Sequence, residues 1–293
     1  MTTYEQKLQQ EAELWGTESE RMARMIAPDW REHRHLLHNR ILHGENIDKL
    51  LMQVKPEMQT LELGCASGWL TLAMAQQGAY ATGLDLSEKS LLVARNYYER
   101  IQDEVRGTVN YHYADLNALE LEPNTYDVIA VKATLHHLVN IRGTIEAVHR
   151  ALKPNGLFWI SDTLYDEHMS SVLFASGLTF LLPTEVPYSE KIKGLLKFGL
   201  NAPERIKMSM EAEGLSPFEG AGRNHNWLEI TQELFTIEQV IVPPAVTGYV
   251  TAQLRAPDFI NVPFLRLLKR IDQYLVKHDV LQPSARIVYA RKK

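Results

Sequence analysis

The sequence has little of what secreted, membrane-spanning or disulfide-rich proteins need. Cys65 is the only cysteine among 293 residues, so no disulfide can form within the chain. The longest apolar stretch, around Val172–Leu182, is far short of the roughly 20 residues that a spanning helix requires. The N-terminal stretch Met1–Lys7 is polar and lacks the apolar region of a signal peptide. We therefore expect a cytoplasmic protein with no stable membrane insertion.

Basic character is also scarce. The chain has 31 Lys and Arg against 36 Asp and Glu, which gives a formal net charge of -5, and it contains no long basic run. This balance disfavours nucleic acid as a partner. Hydrophobic residues make up 45% and charged residues 23%, which is ordinary for a globular protein. The length allows one large domain, or one domain with a subdomain. Its core can be large enough to be stable without disulfide bonds or structural metal ions.

Short apolar runs alternate with amphipathic stretches in the middle of the chain. The runs predicted as strands are Thr60–Leu63, Ala79–Leu84, Thr108–Tyr113, Tyr126–Val131 and Gly156–Ser161. Helical patterns lie between several of them, at Trp69–Gln77, Glu88–Ile101 and Arg142–Leu152. Such alternation predicts parallel pairing through right-handed crossovers. Two later runs, Leu234–Val242 and Ala285–Arg291, complete an α/β fold with a seven-stranded, mostly parallel, doubly wound sheet and an antiparallel edge strand. The last run is expected to form that edge.

The flanks divide the chain into four expected segments. Residues 1–55 form an N-terminal helical cap, 56–163 the core, 164–230 a helical insertion, and 231–293 the last two strands with a second helical insertion. In the second insertion, Asn261 is expected to cap a helix that has Pro263 in its first turn. The apolar helices of 164–230 are interpreted as a lid, with ordinary core helices as an equal alternative. A helix at a membrane surface is a third interpretation.

The loop Leu61–Gly68 leaves a buried strand and enters a helix. Its small residues at 64, 66 and 68 let a ligand approach the backbone, and the helix start offers unpaired N–H groups. The spacing differs from the G-x-G-x-x-G of dinucleotide sites, so a nicotinamide-dependent oxidoreductase is the weaker alternative. Asp85 and Asp115 follow the second and third strands, where a carboxylate can accept ribose hydroxyls.

Glu62–Gly68 resembles the E/D-x-G-x-G-x-G motif of class I S-adenosylmethionine-dependent methyltransferases, with Ala66 in place of the middle glycine. The resemblance covers roughly residues 55–163 and continues through Leu84–Ser87, Ala114–Leu116, Tyr126–Ile129, Leu135–Leu138 and Leu152–Leu157. It implies S-adenosylmethionine as the cofactor. The residues implied at the methionine portion are Gly64, Ala66 and Gly68, with Glu62 anchoring the loop. Those implied at the nucleoside are Asp85 on the ribose, Leu86 on the adenine face, and Asp115 and Leu116 on the adenine edge.

Three side chains beyond the fourth strand are candidates for catalysis. His136 and His137 lie where the methyl group is expected, and either is suited to act as a general base because histidine titrates near neutrality. Packing of the His-His-Leu turn is the alternative explanation. Lys132 is expected to contact the cofactor, to orient an anionic substrate, or to pair with Asp162, with a slight preference for the ion pair.

No metal site is predicted. Metal-assisted members of the family place acidic residues and an Asp-Asn pair after the fourth and fifth strands, whereas this chain has Lys132 and Asp162-Thr163 there. The histidines near the N-terminus have no carboxylate or cysteine at a ligand spacing, and they are interpreted as surface or pocket-rim residues. They are His33, His35, His38 and His43.

The predicted function is metal-independent transfer of a methyl group to a small-molecule acceptor, at oxygen more readily than at nitrogen or carbon. A natural product or a glycan is the favoured acceptor class; a lipid, quinone-like or macromolecular acceptor and a non-catalytic cofactor-binding protein are the alternatives. Trp15, Trp30 and Tyr165 are expected to contact the acceptor. A homodimer is left open.

Overall fold

A computed structural model defines the architecture. It describes residues 3–23, 37–164, 169–184, 186–198, 216–218, 221 and 226–293. Several residues singled out above lie outside that part of the chain: Trp30, Tyr165, His33 and His35, together with the side chains of His38 and His43.

Seven strands form one sheet in the order β3-β2-β1-β4-β5-β7-β6. The strands are β1 Gln59–Leu63, β2 Tyr80–Asp85, β3 Thr108–Tyr113, β4 Tyr126–Lys132, β5 Leu152–Thr163, β6 Phe235–Ile241 and β7 Ala285–Lys292. The first five pair in parallel, and β7 runs antiparallel to both of its neighbours, β5 and β6. The predicted α/β class and the seven-stranded sheet are confirmed.

The last strand is not the edge of the sheet, contrary to our expectation. β7 lies between β5 and β6, and β6 forms the edge. The reason is visible in the burial of Ile287, Val288, Tyr289 and Ala290, four successive residues that are at most 2% exposed. A run buried on both faces belongs inside a sheet, whereas β6 exposes Thr236, Glu238, Gln239 and Val240.

Ten helices are seen in the described part of the chain. They are α1 Tyr4–Ala23, α2 Leu37–Gln53, α3 Trp69–Gln76, α4 Glu88–Ile101, α5 Ile141–Ala151, α6 Met169–Leu181, α7 Tyr188–Phe198, α8 Trp227–Leu234, α9 Thr247–Gln253 and α10 Asp258–Lys277. The described helices include none that is long and apolar enough to cross a membrane.

Two apolar clusters cover the two faces of the sheet. One joins α3 and α4 to the sheet and contains Met74 and Trp159, and the other joins α5 and α8 to it and contains Ile145 and Phe158. Burial of large side chains on both faces is what a doubly wound sheet requires. This core holds the strand ends, and therefore the loops that follow them, in fixed positions.

The order of the strands reverses at β1. From β1 the sheet extends to β2 and β3 on one side and to β4 and β5 on the other. Loops that leave β1 and β4 therefore diverge and open a crevice at the carboxyl edge, which is where open α/β sheets bind ligands.

The second insertion begins differently from our expectation. α10 starts at Asp258 after Pro257, so Asn261 lies inside its first turn and Pro263 lies deeper in the helix. The Asn261 side chain donates to the carbonyl of Ala256 at 2.6 Å instead of capping the helix. A proline at the junction starts this helix, because its fixed φ suits a helix entry.

The helices of the two insertions pack mainly on one another. α6 and α9 meet α2 and α10 through Ile41, Ala175, Val250 and Leu268, which are buried. In the described residues, neither α6 nor α7 lines the crevice at β1 and β4. α6 therefore lies against the second insertion and away from the crevice.

Candidate active site

A cavity of about 430 Å³ occupies the crevice at the carboxyl edge of the sheet. Its walls come from the loop between β1 and α3, the ends of β2, β3 and β4, one face of α1, and Phe218. The volume lies within the range of sites for small molecules and cofactors.

The loop between β1 and α3 is pinned to the end of β2. The N–H groups of Gly64 and Cys65 both donate to the carbonyl of Leu84, at 2.8 and 2.9 Å. Gly64 and Gly68 have φ of 71° and 77°, and a Cβ atom there would lie 2.3 Å from Thr134 and Tyr111 respectively. Glycine is therefore required at both positions by the fold itself, and it leaves the backbone open to the cavity.

Asp85 lies at the end of β2 with its carboxylate toward the same loop. Oδ2 accepts from the N–H of Ala66 at 2.8 Å, and Oδ1 accepts from the N–H of Ser87 at 2.9 Å. Burial raises the pKa of this carboxyl, although these hydrogen bonds oppose the effect. A carboxylate has about four acceptor positions, so Asp85 retains capacity for a ligand hydroxyl. The next residue, Leu86, also lines the cavity.

Asp115 follows β3 and also lines the cavity. Its Oδ1 accepts from the backbone and side-chain N–H groups of Asn117, and its Oδ2 accepts from the hydroxyl of Tyr4 at 2.7 Å. Burial and the neighbouring carboxylate raise the pKa of Tyr4 to about 12, so the tyrosine remains a donor. Leu116, in the short 3-10 turn that follows, lines the cavity. Tyr4 therefore links α1 to the predicted adenine edge.

Glu62 lies beneath the loop and is only 3% exposed. Its carboxylate accepts from the N–H of Thr71 at 2.7 Å and from the Thr71 hydroxyl, in the first turn of α3. Desolvation raises the Glu62 pKa to about 8 despite these bonds. The side chain joins the strand to the helix across the loop.

Lys132 does not form the ion pair that we preferred. Asp162 lies 2.6 Å from His136 Nδ1, and no salt bridge joins it to Lys132 in the described residues. Its carboxylate also accepts from three backbone N–H groups, those of Thr134, Leu135 and Thr163. Burial alone would raise the pKa of Asp162, but the His136 contact and these bonds hold it below its ordinary value. Asp162 is therefore satisfied by the turn after β4.

Lys132 lines the cavity instead. Burial lowers the pKa of its ammonium group, and the charges of Asp162 and Glu62 partly oppose this. The two histidines differ in position: His137 lines the cavity, whereas the His136 ring faces Asp162. The rings of His136 and His137 are tilted by 41° to each other, with centroids 4.1 Å apart.

His137 meets a carboxylate from the N-terminal helix. Its Nδ1 lies 3.2 Å from Glu11 Oε1 and 3.2 Å from Ser216 Oγ. Glu11 also accepts from the indole N–H of Trp15 at 2.8 Å and from the Ser216 hydroxyl. Burial pushes the Glu11 pKa upward, but the hydrogen bonds from His137, Ser216 and Trp15 outweigh it, so the pKa lies below its ordinary value. Glu11 is thus an anion beside His137.

Sequence reasoning missed Glu11, Leu8 and Phe218, all of which line the cavity. A signal for the first two is present. Leu8, Glu11 and Trp15 recur at intervals of three and four residues, so they share one face of α1. An acidic residue on an otherwise apolar face could have identified Glu11, because such a residue is rarely buried without a partner. Phe218 has no comparable local signal.

Of the three residues predicted to contact the acceptor, only Trp15 lies in the described part of the chain. Trp15 lines the cavity, and its ring packs edge-on against His137 with centroids 5.4 Å apart. Trp30 and Tyr165 lie outside the described residues.

A model of a methyltransferase domain matches residues 61–160. A ubiquinone biosynthesis O-methyltransferase from Nitrosospira multiformis is 34% identical over 116 residues, covering 39% of this chain and 46% of the relative. Its namesake from Pseudomonas aeruginosa is 36% identical over 128 residues, covering 43% and 53%. The chain carries a class I, S-adenosylmethionine-dependent methyltransferase domain. The matched regions span about half the length of these relatives.

MccD protein, a solved structure, agrees with this chain at the level of the fold. MccD protein superposes with a TM-score of 0.50 at 18% identity, covering 85% of this chain and 96% of that one. An S-adenosylmethionine-dependent methyltransferase from Mesorhizobium loti gives a TM-score of 0.46 at 21% identity, with coverage of 85% and 96%.

The cavity fits S-adenosylmethionine, the cofactor of this domain. The glycine loop is open toward it, and two carboxylates with remaining acceptor capacity line it, those of Asp85 and Asp115. Ala66 keeps the loop open because its methyl group is small.

Proposed function

We propose that the protein transfers the methyl group of S-adenosylmethionine to a hydroxyl oxygen of a small-molecule acceptor. The observation that carries this proposal is the position of His137, which lines the cavity next to the glycine loop with a carboxylate at its Nδ1. A hydroxyl acceptor gains more from a general base than a neutral amine does, because the amine attacks through a free lone pair.

Each group of residues around the cavity has a separate role in the proposed reaction. Bound S-adenosylmethionine supplies a methyl group on a positively charged sulfur. In the proposal, Asp85 binds the ribose, and Asp115, Leu86 and Leu116 contact the adenine. The glycine loop accommodates the methionine portion. His137 takes the hydroxyl proton through Nε2 as the acceptor oxygen attacks the methyl carbon. Enclosure by α1 orients the acceptor and excludes water, which supplies much of the acceleration.

An aromatic hydroxyl, as in a quinone-like molecule, is the acceptor class that we favour. The curated relatives are named for ubiquinone biosynthesis and for O-methylation. Trp15, Leu138 and Phe218 are among the apolar side chains that line the cavity. Flat apolar walls suit a ring better than a sugar, so a glycan becomes the second choice.

Release of S-adenosylhomocysteine is the measurement that tests this proposal. The acceptors are 3,4-dihydroxybenzoate as a phenol, methyl glucoside as a sugar and benzylamine as an amine, each with the wild-type protein and with His137→Gln. We expect release with the phenol, and a loss of about a hundredfold in kcat in the variant. His136→Gln is the matched control, expected to retain more activity because its ring faces Asp162. Release with benzylamine only, or activity insensitive to His137→Gln, would overturn the proposal.

A further inference from the structure

One face of α1 borders the cavity and contacts residues that line it. Tyr4 donates to Asp115, Leu8 lines the cavity, and Glu11 meets His137, at intervals of four and three residues along the helix. Beyond the cavity, the same helix is fixed to α4, where the Ser87 hydroxyl donates to the carbonyl of Ala12 at 2.7 Å. The helix is therefore placed so that one of its carboxylates borders the reaction site.

We propose that Glu11 is the positioning residue of His137, so that the base is complete only when α1 is docked. This inference rests on the proposed function, in which His137 receives the acceptor's proton. Glu11 itself has no role in contacting the reacting atoms; it acts through the imidazole.

The geometry gives Glu11 two effects on the ring. His137 Nδ1 lies 3.2 Å from both the Glu11 carboxylate and the Ser216 hydroxyl, and that hydroxyl donates its own proton to Glu11. Both oxygens therefore act as acceptors for Nδ1–H, which selects the tautomer whose Nε2 carries the lone pair. After transfer, both ring nitrogens carry protons and the imidazolium is stabilised by the adjacent anion. The proton moves from the acceptor oxygen to Nε2 while the new O–C bond forms and the C–S bond breaks. Glu11 keeps its charge throughout.

Hydrogen bonds and burial fix the orientation of the Glu11 side chain. Trp15 and Ser216 donate to it, and it is only 5% exposed, so its orientation is fixed without water. The other histidine–carboxylate pair, His136 with Asp162, differs because Asp162 holds the turn after β4 through backbone N–H groups. The His136–Asp162 pair therefore stabilises the turn after β4, whereas the His137–Glu11 pair borders the cavity.

A purely structural role is the alternative, in which Glu11 only fastens α1 to the core. Glu13 provides a control for it. Glu13 lies on the same helix, has the same charge and pairs with Lys89 of α4, but it does not reach His137. Glu13→Gln removes one contact between α1 and α4 without affecting the imidazole.

The first experiment compares Glu11→Gln, Glu11→Asp and Glu13→Gln with the wild type, using 3,4-dihydroxybenzoate as acceptor. We expect Glu11→Gln to lower kcat about a hundredfold while KM and the affinity for S-adenosylhomocysteine change less than about twofold. Glu11→Asp should restore part of kcat, and Glu13→Gln should behave as wild type. Equal losses in Glu11→Gln and Glu13→Gln, or a change in KM alone, would overturn the positioning role.

The second experiment does not depend on activity. Nitrogen-15 NMR of labelled histidines reports the tautomer of each ring, and the signals of His137 are assigned by their loss in His137→Gln. Wild type and Glu13→Gln should show Nδ1–H, whereas Glu11→Gln should shift toward a mixture. If no variant releases S-adenosylhomocysteine, the proposed acceptor class fails, and this spectrum still decides the pairing. An unchanged His137 signal in Glu11→Gln would refute it.

Discussion

Ala66 occupies a backbone conformation that glycine adopts more readily. Its φ is 45°, between Gly64 at 71° and Gly68 at 77°. A left-handed conformation costs a residue with a Cβ atom roughly 1–2 kcal/mol. The bond from its N–H to Asp85 holds it there. The chain therefore tolerates local strain at the centre of its cofactor loop.

Ala66→Gly should relieve that strain. We expect the free energy of unfolding to rise by about 0.5–1 kcal/mol, because part of the gain is offset by the greater freedom of glycine in the unfolded chain. Urea titration measures the change. Ala12→Gly, in the regular backbone of α1, is the control and should lower stability by about 0.5–1 kcal/mol. A loss of stability at both positions would show that Ala66 is unstrained.

Asp85 tests the cofactor assignment. Asp85→Asn keeps an acceptor for one backbone N–H but removes the charge, so affinity for S-adenosylmethionine should fall by about 1.5–3 kcal/mol for each charged hydrogen bond lost. Calorimetric titration gives the affinity, and a thermal melt checks that the fold survives. Asp103→Asn, at an exposed position beyond α4, should bind as wild type. Unchanged affinity in Asp85→Asn would exclude the ribose role.

At the scale of elements, α1 meets α4 at a close approach. A Cβ atom at Gly16 would lie 2.8 Å from Lys89 Cβ and from Ser87 Oγ, closer than van der Waals contact allows. The adjoining Ser19 and Ser90 hydroxyls hydrogen-bond at 2.8 Å. Gly16 therefore determines how closely the helix that carries Glu11 can dock.

Gly16→Leu should displace α1. Overpacking at this position should destabilise the contact between α1 and α4 by about 1–3 kcal/mol, and it should leave the sheet unaffected. We expect faster amide hydrogen exchange along α1, at least a tenfold loss of methyl transfer, and little change in exchange of the β-strands. The neighbouring exposed residue gives the control, Thr17→Leu, which should leave exchange in α1 unchanged. Faster exchange in α1 with normal activity would separate α1 docking from catalysis, and normal exchange would show that Gly16 does not set the docking distance.

The sequence patterns located the core elements within one to four residues, because strands and helices of the core repeat their apolar positions at regular periods. α4, for instance, spans Glu88–Ile101 as predicted. The order of the last two strands and the contact of Glu11 with His137 depend on tertiary placement, which local periodicity does not contain. The preference of Asp162 for His136 over Lys132 is of the same kind. The acidic residues at the ends of β1, β2 and β3 were predictable because their spacing follows the strand ends.

At the scale of the whole molecule, one buried carboxyl links stability to pH. The native pKa of Glu62 is about 8 because burial penalises its charge, against an ordinary value of 4.5. Between those values the native protein keeps a proton that the unfolded chain releases. The free energy of unfolding therefore contains a Glu62 contribution that falls as pH rises through this window and levels off above it.

Glu62→Gln should remove that dependence. The difference in unfolding free energy, variant minus wild type, is expected to grow by up to about 1.4 kcal/mol per pH unit between about pH 5 and 8. Denaturant titrations across this range measure it. Glu122→Gln, at an exposed loop position, should show a flat difference. A flat difference for Glu62→Gln as well would mean that Glu62 is ionised in the native protein.

The most direct test of the central claim follows the methyl group itself. The protein is incubated with S-adenosylmethionine carrying a carbon-13 methyl group and with 3,4-dihydroxybenzoate, and the product is examined by NMR. We predict a labelled methyl group on a phenolic oxygen, formed together with S-adenosylhomocysteine and greatly reduced in His137→Gln. A labelled methyl group on carbon, or label that stays on S-adenosylmethionine although the protein binds it, would contradict transfer to oxygen.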